Sequence, residues 1–201
     1  MMPGLKVVAH EDFLALREGA EVIEADGHGE KVLRLTDGTL LKLFRRKRIL
    51  SSAAWYPYAQ RFASNALALR ERGIPVPTVI ATVRIPSIKR DAVRYHPLPG
   101  ESLRALARRG LEPAAERELK RKFTDFVIHL HALGIYFRSL HLGNVILTPS
   151  GELGLIDFSD LRVYARPLPV FMRRRNIQRM LGMEGEREWI DSEAILQRRA
   201  S

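Results

Sequence analysis

No cysteine occurs among the 201 residues. Disulfides and thiolate metal sites are thereby excluded, and a reducing compartment is weakly favoured. Long apolar runs are missing too, since none approaches the roughly 20 residues that a membrane-spanning helix needs. The opening stretch MMPGLKVVAHEDF acquires acidic residues before any apolar segment of signal-peptide length. These absences point to a cytoplasmic protein. Internal repeats and low-complexity tracts are absent as well. The apolar share of 46% and the charged share of 28% exclude wholesale disorder. A chain of this length builds one sizeable core, or two small lobes sharing a cleft.

Acidic charge is in short supply. Against 33 Lys and Arg stand 23 Asp and Glu, a formal net charge of +10. The excess is clustered at Arg45–Arg48, Arg108–Arg109, Lys120–Lys122, Arg173–Arg175 and Arg198–Arg199. Such patches raise the local concentration of anionic partners. Nucleic acid, an acidic membrane face and a phosphorylated glycolipid all meet that description, and a solvated basic surface is the plainer alternative. No DNA- or RNA-reading motif accompanies the charge, so no nucleic-acid partner is expected.

Residues 21–44 read as β-structure, EVIEAD and KVLRL followed by TLLKLF, with Asp37-Gly38 as a hairpin turn. Residues 56–72 carry Phe62, Ala66 and Leu69 at helical spacing. Gly73 closes that helix, and IPVP forces an extended exit. TVIATVRI and DAVRYHPL read as two further strands. After Gly100 the pattern turns helical, with a short helix over 101–109 and a long amphipathic one over 114–133. The buried stripe of the long helix is Leu119, Phe123, Phe126, Val127 and Leu130, and Gly134 ends it. NVILT and LGLIDF are short strands joined by the PSGE turn. Two helical segments, about 168–181 and 185–199, close the chain, and Val170 and Phe171 of the first are expected to pack inside. The expected class is α+β. We read a single domain, with a β-rich N-terminal lobe (about 1–96) and a short helical C-terminal lobe (about 100–201).

The most specific pattern is FRSLHLGNVIL followed by GLIDFSD. Ser139 precedes Asn144 by five residues, and Asp157 follows Asn144 by thirteen. Singly, Asn144 reads as a turn residue and Asp157 as a strand-end cap. Together, after a long helix and flanking a hairpin, they form a less common pair. The order of parts resembles the protein-kinase-like fold. More closely it resembles the lipopolysaccharide core heptose kinase family and its relatives known as toluene-tolerance proteins, from about residue 20 to about residue 180.

The resemblance implies ATP and Mg²⁺ as cofactors. It assigns the metal to Asn144 and Asp157, the nucleotide phosphates to Lys42 on the third strand, and the phosphate-covering turn to Gly27 and Gly29. Tyr95 falls at the hinge beside the adenine, and Lys31 is the fallback for Lys42. Two departures stand out. Ser139 occupies the position of the carboxylate that receives the acceptor proton, with His141 two residues on and Asp160 as a further base. Asn65 stands where a helix glutamate normally pairs with the lysine. Phosphoryl transfer asks chiefly for positioning and charge neutralisation, so losing the base, worth ~10²–10⁴ in rate, does not abolish it.

Two functions follow from the resemblance. One is phosphotransfer to a sugar hydroxyl of an anionic glycolipid or phosphorylated sugar at the cytoplasmic membrane face, with peripheral membrane contact. The other is a catalytically impaired, kinase-like binding module in the same lipopolysaccharide pathway.

Overall fold

The computed structural model describes residues 5–46 and 57–197. Lys47 and Arg48 of the first basic cluster, Tyr56 at the head of the expected helix, and Arg198–Arg199 lie outside them. The chain is mixed α+β, as expected, and divides into two compact units. One comprises the residues to Leu67 with Pro77–Pro97, the other Ala68–Val76 with the residues from Leu98 onward. A β-rich unit followed by a largely helical one is consistent with a small kinase-like fold.

The first unit is a six-stranded mixed sheet. Its strands are β1 (Lys6–Val7), β2 (Glu21–Asp26), β3 (Gly29–Arg34), β4 (Leu40–Arg45), β5 (Thr78–Ile85) and β6 (Arg90–His96), ordered β1-β5-β6-β4-β3-β2. All neighbours are antiparallel except β1 and β5. Strand alternation sends Leu41 and Leu43 of β4 into a core with Leu33, Leu35, Ile85 and Ala92. Helix α1 (His10–Arg17) caps that core with Phe13. Neither β1 nor α1 was foreseen, because α1 buries a single side chain and shows no apolar stripe in the sequence. The Asp37-Gly38 turn forms as expected: the Thr39 hydroxyl and amide both donate to Asp37 Oδ1, and Arg94 donates to its second oxygen. Those donors hold the Asp37 carboxyl down at about 2.

Helix α2 (Tyr58–Arg70) ends at Gly73 in the left-handed region. In the second unit come the short α3 (Leu103–Arg109) and the long α4 (Pro113–Ala132). Ser102 accepts a hydrogen bond from the Ala105 amide, which is why α3 starts at Leu103 and leaves Glu101–Ser102 as strand β7. Along α4 the buried stripe is Leu119, Phe123, Val127 and Leu130, with Phe126 only half-buried at its edge. Gly134 closes α4, because a Cβ there would strike the Tyr164 and Arg166 carbonyls.

Strand β8 (Ile135–Phe137) pairs with β11 (Leu161–Val163), and β9 (Val145–Leu147) lies between β7 and β10 (Leu153–Leu155). Helices α5 (Val170–Leu181) and α6 (Ser192–Gln197) follow. The helix expected over 185–199 is broken, since Asp191 caps a fresh start at Ser192 by accepting from the Ala194 amide. On α5, Ile177 and Met180 are buried as expected, but Val170 and Phe171 are exposed, Phe171 by 71%. They occupy the first turn, beyond the elements that α5 covers.

A buried polar pair ties three of these elements together. Asn176 of α5 donates through Nδ2 to the Phe137 carbonyl of β8 and receives His131 Nε2 of α4 on Oδ1 at 3.0 Å. That fixes the His131 tautomer, with the proton on Nε2. Burial, first of all, pushes the His131 pKa below its usual value. The unfolded chain therefore takes up a proton near pH 6.5 that the folded chain resists, so this contribution is present above that pH and lost as pH falls. The denaturation midpoint is expected to fall from pH 7.5 to pH 5.5, and less so in His131→Gln, which keeps a donor toward Asn176. Urea titrations at the two pH values check this.

Candidate functional site

The centre of the second unit is the loop from Arg138 to Asn144 and the hairpin that follows it. In β9 and β10, Val145 pairs with Leu155 and Leu147 with Leu153. Beyond the last pair, the Ile156 amide donates to the Asn144 carbonyl at 3.0 Å. Asn144 and Asp157 therefore leave the same end of one hairpin. The hairpin itself is well held. Thr148 and Glu152 close its turn, Lys122 of α4 donates to the Gly151 carbonyl at 2.5 Å, and the Leu155 amide donates to Pro75 at 2.9 Å.

Asn144 is buried, and its Nδ2 donates to the Ser139 carbonyl at 2.9 Å. With the amide nitrogen spent, the oxygen is the atom Asn144 can offer to a cation. Asp157 is exposed and adopts φ +52°, left-handed for a residue with a Cβ. That conformation costs ~1 kcal/mol, which the flanking strand and the buried Phe158 sustain. One carboxylate and one amide oxygen suit Mg²⁺, which completes its shell with phosphate oxygens and water. Among the described residues no three His, Asp or Glu side chains gather as a metal cluster.

Loop geometry is set by a residue that no sequence motif singles out. Glu186 is buried, accepts the Leu142 amide on Oε2 at 2.9 Å, and receives Arg104 Nε on Oε1 at 2.7 Å. Arg104 then lies across Gly143, where a Cβ would sit 2.8 Å from Nη1, and donates from Nη2 toward His141 Nδ1 at 3.1 Å. A glycine is needed at 143 for that approach. Burial, followed by the Arg104 charge, pushes His141 below its usual pKa. The imidazole is thus neutral near pH 7, with Nδ1 occupied and the proton on Nε2. In this arrangement His141 offers a donor, not a base.

Ser139 is half-buried, and its hydroxyl donates to Asp160 Oδ2 at 2.5 Å. The other Asp160 oxygen is buried without a hydrogen-bond partner. Ser139, His141, Asn144 and Asp157 thus share one loop-and-hairpin unit. The remaining expected site residues belong to the first unit. Lys42 points opposite to Leu41 and Leu43, as strand alternation predicts, with Nζ 5.9 Å from the Phe44 ring centre. Lys31 is ion-paired to Glu24 and Asp26. At the Gly27–Gly29 turn, the His28 amide donates to Asp26 Oδ1 at 2.8 Å and the His28 carbonyl accepts from Arg90. That amide is engaged by its own chain. The Tyr95 ring packs on Phe62, with centroids 5.2 Å apart, and its strand is paired with β4 on one side and β5 on the other.

The basic clusters differ in what they leave to solvent. Lys120 pairs with Glu116 and Glu188, Arg121 with Glu118 and Asp125, and Arg109 with Glu101. Arg173 is buried, whereas Arg174 and Arg175 are exposed. A cavity of about 460 Å³ opens between α4 and residues 187–194, lined by Lys120, Asp125 and Trp189 among others, and includes none of the loop residues.

No protein-family model matches the chain, and no curated protein does. Among solved structures, the one described as "Crystal structure of monomeric WbdD" is similar to it, with a TM-score of 0.48 and 18% identity. The match covers 68% of this chain and 32% of that one, so this chain spans about a third of that protein's length. Among the described residues no helix is long and apolar enough to cross a membrane.

Removing the Glu186 carboxylate strands the Arg104 charge and the Leu142 amide together. Glu186→Ala is expected to cost about 3–5 kcal/mol of unfolding free energy. Glu186→Gln, which still accepts from Leu142, is expected to cost less. Chemical denaturation of both variants measures the difference.

Proposed function

We propose that the chain is an ATP- and Mg²⁺-dependent phosphotransferase acting on an alcohol group. The observation that carries this reading is the shared hairpin end of Asn144 and Asp157, with the Ser139 loop bonded to the same asparagine. Phosphoryl transfer needs charge neutralisation at the phosphates and a positioned acceptor, and little covalent chemistry from the protein. The Asp157 carboxylate and the Asn144 oxygen would hold Mg²⁺, which when bound supplies positive charge to the migrating phosphoryl group. Ser139 would orient the acceptor hydroxyl, and His141 Nε2–H would donate to an oxygen beside it. Lys42 is assigned the phosphates, and the Gly27–Gly29 turn and the hinge near Tyr95 the rest of the nucleotide, on the resemblance to kinases.

The acceptor we propose is a sugar hydroxyl of an anionic glycolipid of the lipopolysaccharide core type, reached at the cytoplasmic face of the membrane. The exposed first turns of α5 support it. Phe171 and Val170 stand beside Arg174 and Arg175, an apolar and cationic pairing suited to an anionic lipid surface.

With Mg²⁺ and ATP together, the melting temperature of the purified protein is expected to rise. Without ligand, Asp157→Ala should melt slightly below the wild type, because alanine tolerates the left-handed region less well than aspartate, and it should show no such rise. An unshifted wild-type melt refutes the nucleotide assignment. Cosedimentation with phosphatidylglycerol vesicles tests the membrane face. At ~1 kcal/mol per basic residue near the surface, the double variant Arg174→Glu, Arg175→Glu should bind at least about tenfold more weakly. Phosphatidylcholine vesicles should bind neither protein.

A further inference from the structure

We infer that Asp160 supplies, through Ser139, the proton-accepting carboxylate that this loop lacks at position 139. The inference rests on the phosphotransfer reading and extends it to a residue outside the loop. Three observations carry it. The Ser139 hydroxyl donates directly to Asp160 Oδ2. The second Asp160 oxygen is buried and unpartnered, and among the described residues the carboxylate makes no ion pair. A structural carboxylate would be expected to have its oxygens satisfied, because an unpaired buried acceptor is destabilising.

The alternatives within the loop are occupied. His141 holds its proton on Nε2 and spends Nδ1 on Arg104. Glu186 is engaged by Arg104 and the Leu142 amide. Asp157 is exposed at the hairpin end and belongs to the metal in the proposed reaction. That leaves Asp160 as the carboxylate in contact with the serine.

The step is a double transfer. As the acceptor oxygen bonds to the γ-phosphorus, the bond from that phosphorus to its bridging oxygen breaks, and the electron pair leaves with the diphosphate. The acceptor proton passes to Ser139 Oγ while the Ser139 proton moves to Asp160 Oδ2. The serine ends as it began, and the carboxyl carries the proton until solvent removes it. Asp160 is thus a positioning residue and proton sink, whereas Ser139 touches the acceptor. A loose transition state releases the acceptor proton late, which suits a relay of two short transfers.

Hydrolysis of Mg·ATP by the purified full chain, with water as acceptor, tests the relay. Asp160→Asn keeps the shape and an oxygen that accepts from Ser139. It is expected to lower kcat by about 100-fold or more while KM for ATP and the melting temperature stay near wild type. Adding Ser139→Asp to Asp160→Asn places a carboxylate directly at position 139 and should restore at least about a tenth of the wild-type kcat. A merely structural hydrogen bond would not be rescued by that relocation. Asp160→Asn turning over within about threefold of wild type overturns the relay, and so does a loss that Ser139→Asp fails to recover. Wild-type protein that binds Mg·ATP without hydrolysing it also overturns the relay, while leaving nucleotide binding intact. Absence of nucleotide-induced stabilisation overturns the phosphotransfer reading itself.

Discussion

The geometry of the loop depends on one buried carboxylate. Glu186 reaches it from a segment 44 residues away in sequence and holds the Leu142 amide and the Arg104 guanidinium at once. An apolar side chain of similar size would avoid the desolvation cost of a buried ion pair and in many settings gives equal or greater stability. It could not accept a backbone amide, and it could not hold Arg104 across Gly143. What Glu186 contributes is one conformation of the loop. From that conformation follow the neutral His141 with its proton on Nε2, the turn that brings Asn144 back to the Ser139 carbonyl, and the entry into β9.

From β9 onward the constraint is register. Strand side chains alternate, so a slip of one residue between β9 and β10 would turn every side chain to the opposite face. Leu153, Leu155, Val145 and Ile146 are all buried, which makes such a slip costly. Lys122 on the Gly151 carbonyl and Pro75 on the Leu155 amide hold the hairpin at its turn and along its second strand. Asn144 and Asp157 sit just outside this paired segment. Their proximity is a consequence of apolar packing and ladder hydrogen bonds, with no direct bond between them required.

Much of this was legible because local rules govern it. Asp37-Gly38, Gly73 and Gly134 mark turns whose backbone requirement few other residues meet, and the apolar stripe of α4 announces a helix with one buried face. The class, the β-rich unit preceding the helical one, and the loop-hairpin motif all follow from such signals. What stayed hidden depends on distant partners. Glu186 looks like one acidic residue in a glycine-flanked connection, and only the fold brings it to Leu142. Phe171 fits the apolar pattern of α5, yet among the described residues none covers the first turn of that helix. The cluster at Lys120–Lys122 reads as an anion-binding patch, but its charges are spent on Glu116, Glu118, Asp125 and a carbonyl. Counting charge along a sequence cannot reveal that neutralisation, because the partners lie a helical turn away or on another element.

The substitution at position 139 takes on a different meaning in this setting. Asp157 and Asp160 flank Phe158, whose ring is fully buried, and the Leu161 amide donates back to the Phe158 carbonyl at 3.1 Å before β11 begins. A single anchored aromatic therefore sets the positions of both carboxylates. One is exposed at a left-handed turn, and the other is turned inward onto the Ser139 hydroxyl. With the acid on the loop, cation binding and proton acceptance would be placed by two separate segments. With serine on the loop and the acid at 160, they are placed by one. Any displacement of Phe158 would then shift both together, so the relay ties the proton acceptor to the metal ligand mechanically. A loop that had simply lost its acid would carry no such coupling, and nothing in it would require Asp160 to face the serine.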